Sequence, residues 1–277
     1  MGRLLLLDRR TARSFERPCE RRTRMNGQDL HSSRGYSAHP LLAVSGLTRR
    51  YGGLVAVSDL DFEIRAGEIL GLIGPNGAGK TTTFNLLSGH VKPSGGTLMF
   101  DGASIVGLPP HEISRRGLVR TFQHESFFRD MTVLENLVIA GNRRWRTHQQ
   151  RADGAHAIAA RVGLEKHLDM IAGSLPHGLQ RLLSVGIAIS TKPKLLGLDE
   201  PLTGLHTVEV ANVLNLFRTL CREDGTTILI VDHNMKAMMG ICDRFIVLQY
   251  GKMLAQGSAE EVRNNPEVIG AYLGTAQ

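Results

Sequence analysis

Long apolar runs are missing from this 277-residue chain. A membrane-spanning helix needs about 18 to 20 consecutive apolar residues, and no stretch approaches that length. The four leucines at positions 4–7 run straight into Asp8 and two arginines, which falls short of the roughly 7–15 apolar residues of a secretory leader. Cysteine is scarce as well. Cys19, Cys221 and Cys242 stand far apart without a C-x-x-C pair, so neither a disulfide framework nor a zinc cluster is expected, and they read as incidental thiols of a cytosolic protein. Acidic residues are thin only at the start. Residues 1–40 hold nine arginines against four acids, a net of +5, whereas the remainder carries 24 basic and 22 acidic residues. The net charge of +7 therefore belongs mostly to the first forty residues, and the near-neutral remainder gives no nucleic-acid footprint. Residues 1–40 also show no hydrophobic period, so they are expected to be a disordered basic extension, within which Met25 offers an alternative start. A hydrophobic content of 42% and a charged content of 21% suit a globular domain over 41–277.

What is present begins with Gly74-Pro75-Asn76-Gly77-Ala78-Gly79-Lys80-Thr81-Thr82, which matches G-x-x-x-x-G-K-[ST]. An apolar run over 69–73 precedes it, short enough for a buried strand, and residues 81–87 carry helical spacing. Strand, glycine loop and helix start together make a P-loop. The glycines let successive backbone N–H groups turn toward a phosphate at a helix end that already carries partial positive charge. Lys80 would reach the β- and γ-phosphates, and the Thr81 hydroxyl would hold magnesium. A P-loop alone fits kinases, GTPases and many ATPases, so a nucleoside triphosphate such as ATP with Mg2+ is the expected ligand.

The rest of the chain alternates strands and helices. Strand patterns occur before Tyr51, over 60–64 and over 97–100, and a strand over 119–122 runs into Gln123. Residues 131–166 read as mostly helical with an arginine-rich polar middle at 143–146. Helices follow over 178–190 and 208–220, with strands over 194–198 and 226–231. Residues 244–248 and 253–255 form a hairpin about Gly251, Ser258 with Glu261 makes a capping box, and Pro266 opens a last helix. The strand at 194–198 ends in Asp199-Glu200, whose first acid can hold magnesium and whose second can polarise an attacking water. Gly197 within that strand suggests a close packing point. His233 ends the strand at 226–231.

In this order, the motifs resemble those of the ATP-binding subunits of ABC transporters, from about residue 41 to the C-terminus. The resemblance implies an α/β fold of ABC type, a P-loop NTPase with a mixed central sheet, an antiparallel β subdomain and a helical subdomain at about 124–190. It also assigns roles: Tyr51 stacks on adenine, Gln123 touches magnesium and water and signals to the membrane subunit, and His233 contacts the γ-phosphate. Glu200, His233 and Gln123 form the catalytic group, with Thr81, Gln123 and Asp199 at the metal. The signature loop falls on Leu175-Pro176-His177-Gly178, where only Leu175 and Gly178 keep the family pattern, and His206 stands where the family's D-loop has aspartate. Gly178 is then expected to complete the nucleotide site of a second ATPase subunit, identical or a sister. Met131-Thr132-Val133-Leu134-Glu135-Asn136 and the segment 264–274 are similar to the longer ATPase of branched-chain amino-acid transport systems. That implies a peripheral protein on the cytoplasmic face of the inner membrane, with two integral membrane permease subunits as partners and, indirectly, a substrate-binding protein. Urea and short-amide importers use similar ATPases, and soluble ABC proteins acting on DNA or ribosomes form a further class. Finally, Phe127, Phe128, Met131 and Val133 make an apolar cluster that reads either as core or as the groove receiving a helix of the membrane subunit.

Overall fold

Five-residue runs with every side chain buried form the centre of the molecule. They are β3 (Ile69–Ile73), β7 (Leu195–Asp199) and β8 (Thr227–Val231). Uninterrupted apolar runs of this kind belong to parallel strands covered on both faces. Here β3 pairs in parallel with both β8 and β9 (Arg244–Gln249), while β7 pairs in parallel with β8 and with β6 (Leu118–Arg120). The tenth strand, β10 (Lys252–Gly257), adds antiparallel to β9, giving a six-stranded mixed sheet in the order β10-β9-β3-β8-β7-β6. A second sheet is wholly antiparallel, in the order β2-β1-β4-β5, from β1 (Leu42–Tyr51), β2 (Leu54–Ile64), β4 (Gly95–Phe100) and β5 (Ala103–Ser104). The structure is a computed structural model that describes residues 39–121 and 127–273. The basic stretch up to residue 38 and Gln123 lie outside the described residues.

Alternation along the strands divides the core in two. Ile69 and Ile73, Leu196 and Leu198, and Ile228 and Ile230 face one layer. Leu70 and Leu72, Leu195, and Leu229 and Val231 face the other, which is closed by the antiparallel sheet and by α1 (Lys80–Leu87). The first layer is covered by α3 (Val133–Ala140), α4 (His148–Val162), α5 (His177–Ser190) and α6 (Thr207–Arg222). Shorter helices, α2 (Pro110–Arg116), α7 (Met235–Met239), α8 (Ala259–Asn264) and α9 (Pro266–Leu273), complete the order. Gly197 is the expected packing point: a Cβ there would lie 3.1 Å from Phe84 Cζ on α1.

Helices α3 and α4 occupy the stretch 131–166 read as mostly helical, and α5, the helix read over 178–190, packs on both. The arginine-rich middle of that stretch is not uniformly polar. Trp145 is only 8% exposed and lies between two glycines, Gly141 at the end of α3 and Gly154 inside α4, where added Cβ atoms would stand 2.1 Å from its ring. The α3 start is fixed by a capping box in which Thr132 and Glu135 exchange bonds. The apolar cluster beside it splits: Val133 is fully buried and Phe127 packs on the core, but Phe128 remains 56% exposed. The Phe128 backbone is clamped to the Asn136 side chain by bonds of 2.7 and 3.0 Å.

Candidate active site

The carboxyl ends of β3, β8 and β7 lie side by side, so Gly74, Asp199 and His233 emerge at one edge of the sheet. Ligands of open α/β sheets gather at that edge. The chain leaves β3 through Gly74 at φ +151°, where a Cβ would stand 2.2 Å from the Leu248 carbonyl of β9. Gly79 then caps α1 in a left-handed conformation and has no side chain of its own to bond that helix end. Its N–H groups are thus presented to an anion, as at other helix starts. The hairpin turn between β9 and β10 braces this loop. Gly251 N–H donates to the Ala78 carbonyl (3.0 Å), and Ser58 N–H donates to the Gly251 carbonyl (2.8 Å).

A cleft of about 500 Å3 opens over the loop. Tyr51, Asn76, Gly77, Ala78, Gly79, Lys80, Thr81, Thr82, Glu200 and His233 all line it. Gly74 and Pro75 contribute from beneath, because their carbonyls accept from Lys80 Nζ at 2.6 and 2.9 Å. Burial of the ammonium lowers the Lys80 pKa, and the nearby Glu200 charge partly offsets that. At the far end Tyr51 carries the Arg49 guanidinium over its ring, 4.3 Å from the centroid, and Arg49 is itself fixed by donating to the Lys92 carbonyl (2.9 Å).

The acid pair divides its labour by burial. Asp199 is 1% exposed; its Oδ2 accepts from Arg120 Nη2 at 2.6 Å, and its Oδ1 has no partner among the described residues. Glu200 departs from the strand at φ +50°, an uncommon conformation for a side-chain-bearing residue that costs roughly 1–3 kcal/mol. Its N–H is held by the Val231 carbonyl (2.7 Å), and its Oε1 lies 2.6 Å from His233 Nε2. Glu200 and His233, 33 positions apart, thus meet on the wall of the cleft.

Gly178 does not reach this cleft. It sits in the first turn of α5, where a Cβ would meet Glu209 Oε1 at 2.7 Å. Glu209 in turn accepts from His206 N–H at 2.7 Å at the start of α6. Sequence reasoning missed several contributors. Tyr250, 83% exposed, and Gly251 line the cleft from a hairpin that reads only as a turn. Asp232 is buried beside His233 and accepts from Leu202 N–H (2.9 Å) and Asn234 N–H (2.8 Å), so it ties the loop after Glu200 to the loop bearing His233. Its place directly before His233 at a strand end was the available signal.

The family described as ABC transporter matches residues 57–203. Over 254 residues the chain is 44% identical to the high-affinity branched-chain amino acid transport ATP-binding protein LivG of Salmonella typhimurium, covering 86% of this chain and 100% of LivG. This chain belongs to the ABC transporter ATP-binding family. The ABC ATPase matches a second family, the branched-chain amino acid ATP-binding cassette transporter, over 252–277. It is also 34% identical to the lipopolysaccharide export system ATP-binding protein LptB of Haemophilus influenzae, covering 84% of this chain and 97% of LptB. Its fold is that of solved cassettes. The ADP conformation of MJ1267, an ATP-binding cassette of an ABC transporter, superposes with a TM-score of 0.77 at 27% identity, covering 86% of this chain and 100% of that one. The protein is accordingly an ATP-binding transporter ATPase. Among its described residues no helix is long and apolar enough to cross a membrane.

Proposed function

We propose that this ATPase energises an importer for branched-chain or other hydrophobic amino acids. The reading is carried by full-length similarity to LivG together with the separate match of the C-terminal segment to the branched-chain amino acid cassettes. The cleft supplies the chemistry. Lys80 and the N–H groups from Asn76 to Thr82 bind the phosphates, and the Arg49-backed face of Tyr51 leaves the other face for adenine. Thr81 and Asp199 would hold Mg2+, joined by Gln123. The buried Oδ1 of Asp199, without a partner among the described residues, suits a divalent ion, which would supply neutralising charge at the phosphates. Glu200 takes the proton of the attacking water. His233 Nε2 lies 2.6 Å from Glu200 Oε1, which puts it beside the water that Glu200 activates and within the same wall of the cleft for contact with the γ-phosphate.

Gly178 lies apart from its own cleft, which supports its use in completing the site of a second ATPase subunit, identical or a sister. The Pro176 start of α5 carries no side-chain cap, so its N–H groups and helix dipole are left for the partner's nucleotide. Exposed Phe128, on the segment just after Gln123, is the anchor for a permease helix at the cytoplasmic face of the membrane. Reconstitution with the co-purifying permease subunits tests the substrate. Hydrolysis stimulated by a binding protein loaded with leucine, isoleucine or valine is expected. Stimulation only by urea or a short amide, or capture of DNA or ribosomes in place of membrane subunits, would overturn the reading.

A further inference from the structure

Arg120 joins elements that the site needs to keep in register. It ends β6, three positions before Gln123, and its side chain is only 8% exposed. One nitrogen, Nη2, donates to Asp199 Oδ2 at 2.6 Å. The other, Nη1, donates to Asn85 Oδ1 at 2.6 Å and to Ser88 Oγ at 3.3 Å on α1. Its guanidinium lies over the Phe84 ring, 4.9 Å from the centroid, and Phe84 fills the space that Gly197 leaves on β7. The planar fork therefore spans from the helix that begins with Lys80 to the strand end that carries Asp199.

We infer that Arg120 is a positioning residue that fixes the Asp199 carboxylate for the divalent ion and holds it in register with the P-loop helix. The inference rests on the reading of Asp199 as a metal-holding residue. Two effects of the guanidinium compete. Its positive charge disfavours a second cation nearby, while its bond to Oδ2 orients a buried carboxylate whose Oδ1 has no other partner among the described residues. Orientation dominates here, because a carboxylate 1% exposed that lost the bond to its Oδ2 would be free to turn Oδ1 away from the metal position. Lysine in its place keeps the charge but has no fork to reach Asn85 and Asp199 together.

The test measures binding of a fluorescent, non-hydrolysable ATP analogue to the full chain with Mg2+ and with EDTA. The ratio of the two affinities is the metal-dependent part. Arg120→Lys and the milder Asn85→Ala, which keeps the guanidinium and removes the shorter of its hydrogen bonds toward α1, should each reduce that ratio. The expected loss is about tenfold for Arg120→Lys, as for other groups that orient metal-holding side chains. Binding in EDTA should change less than about twofold. Asp199→Asn separates the two layers of the argument. If it keeps the wild-type ratio, the role of Asp199 falls and this inference falls with it. If it loses the ratio while Arg120→Lys and Asn85→Ala keep theirs, only the inference on Arg120 is overturned. Arg120→Gln binding the metal complex more tightly would mean that charge outweighs orientation, and equal losses with and without Mg2+ would mean general damage to the fold. Either result refutes the positioning role.

Discussion

Replacing Gly154 by alanine sets two physical effects against each other. Gly154 lies inside α4, where alanine is favoured over glycine by about 1 kcal/mol. From the sequence alone, Gly154→Ala is a stabilising change. In the structure the added methyl would stand 2.1 Å from Trp145 Cε2, whereas carbon atoms rest at about 3.5–4 Å. The ring has no room to retreat, because on its other side a Cβ at Gly141 would also be 2.1 Å away. The indole must then leave its slot or force α3 and α4 apart. Overpacking costs about 1–3 kcal/mol and loss of a buried Trp about 3–5 kcal/mol. Against the gain in helix propensity, a net loss of about 2 kcal/mol remains, a fall in melting temperature of about 4–8 °C for a domain of this size. Trp145 is the chain's one tryptophan, so intrinsic fluorescence reports on the slot directly. Circular dichroism melts with emission spectra should show a lower Tm and a red-shifted maximum. A Tm raised by about 2–4 °C with unchanged emission would refute the packing argument.

Glu200→Gln should retain nucleotide binding yet lose at least about a hundredfold in turnover, the scale of a lost general base; near-normal hydrolysis by the purified variant rejects the role. Lys80→Met should abolish the thermal shift given by saturating nucleotide, about 2.7 kcal/mol at a hundredfold excess over Kd. Without nucleotide, the variant should be as stable as the parent or more so near neutral pH. The lowered Lys80 pKa means that the folded state bears the cost of a buried ammonium below that pKa and sheds it as pH rises through it. The advantage of the variant should accordingly shrink in alkaline solution, and a constant gap in denaturant titrations across pH would contradict this. Phe128→Ala should leave Tm and basal ATPase rate nearly unchanged, as expected of a side chain 56% exposed, while eliminating co-purification with the permease subunits. Unfolding of that variant would return Phe128 to the core.

Much of the candidate site's lining was legible because local chemistry dictates it. A loop that turns its N–H groups inward needs glycines next to a strand and a helix start, and such a requirement leaves a contiguous motif. The Ser258–Glu261 capping box and the buried strand ending in Asp232 were readable for the same reason. Contributions assembled from distant segments were not. Nothing near Tyr250 or Gly251 indicates that their hairpin closes on a loop begun at Gly74. Arg120 looks like an ordinary strand residue until β6 lies beside β7. Trp145 sits among arginines, and its burial depends on two glycines, one nine positions beyond it, that create space by lacking side chains. The cluster around Phe128 shows the same limit, since apolarity alone did not separate buried Val133 from its exposed neighbour.

The bracing of the phosphate loop by the Gly251 turn has a bearing on how the protein is made. The loop leaves the ribosome early, but β8, β9 and the turn that close around it are encoded about 150–180 residues later, a delay of about 8–36 s at ordinary elongation rates of about 5–20 residues per second. Throughout that interval β3 lacks both of its neighbours in the sheet, and the Ala78 carbonyl lacks the Gly251 N–H that it accepts from in the finished fold. A nascent or truncated chain ending before residue 251 should therefore fail to retain ATP even though its whole glycine motif is present. On this expectation, nucleotide capture would mark chains whose C-terminal hairpin has emerged and docked.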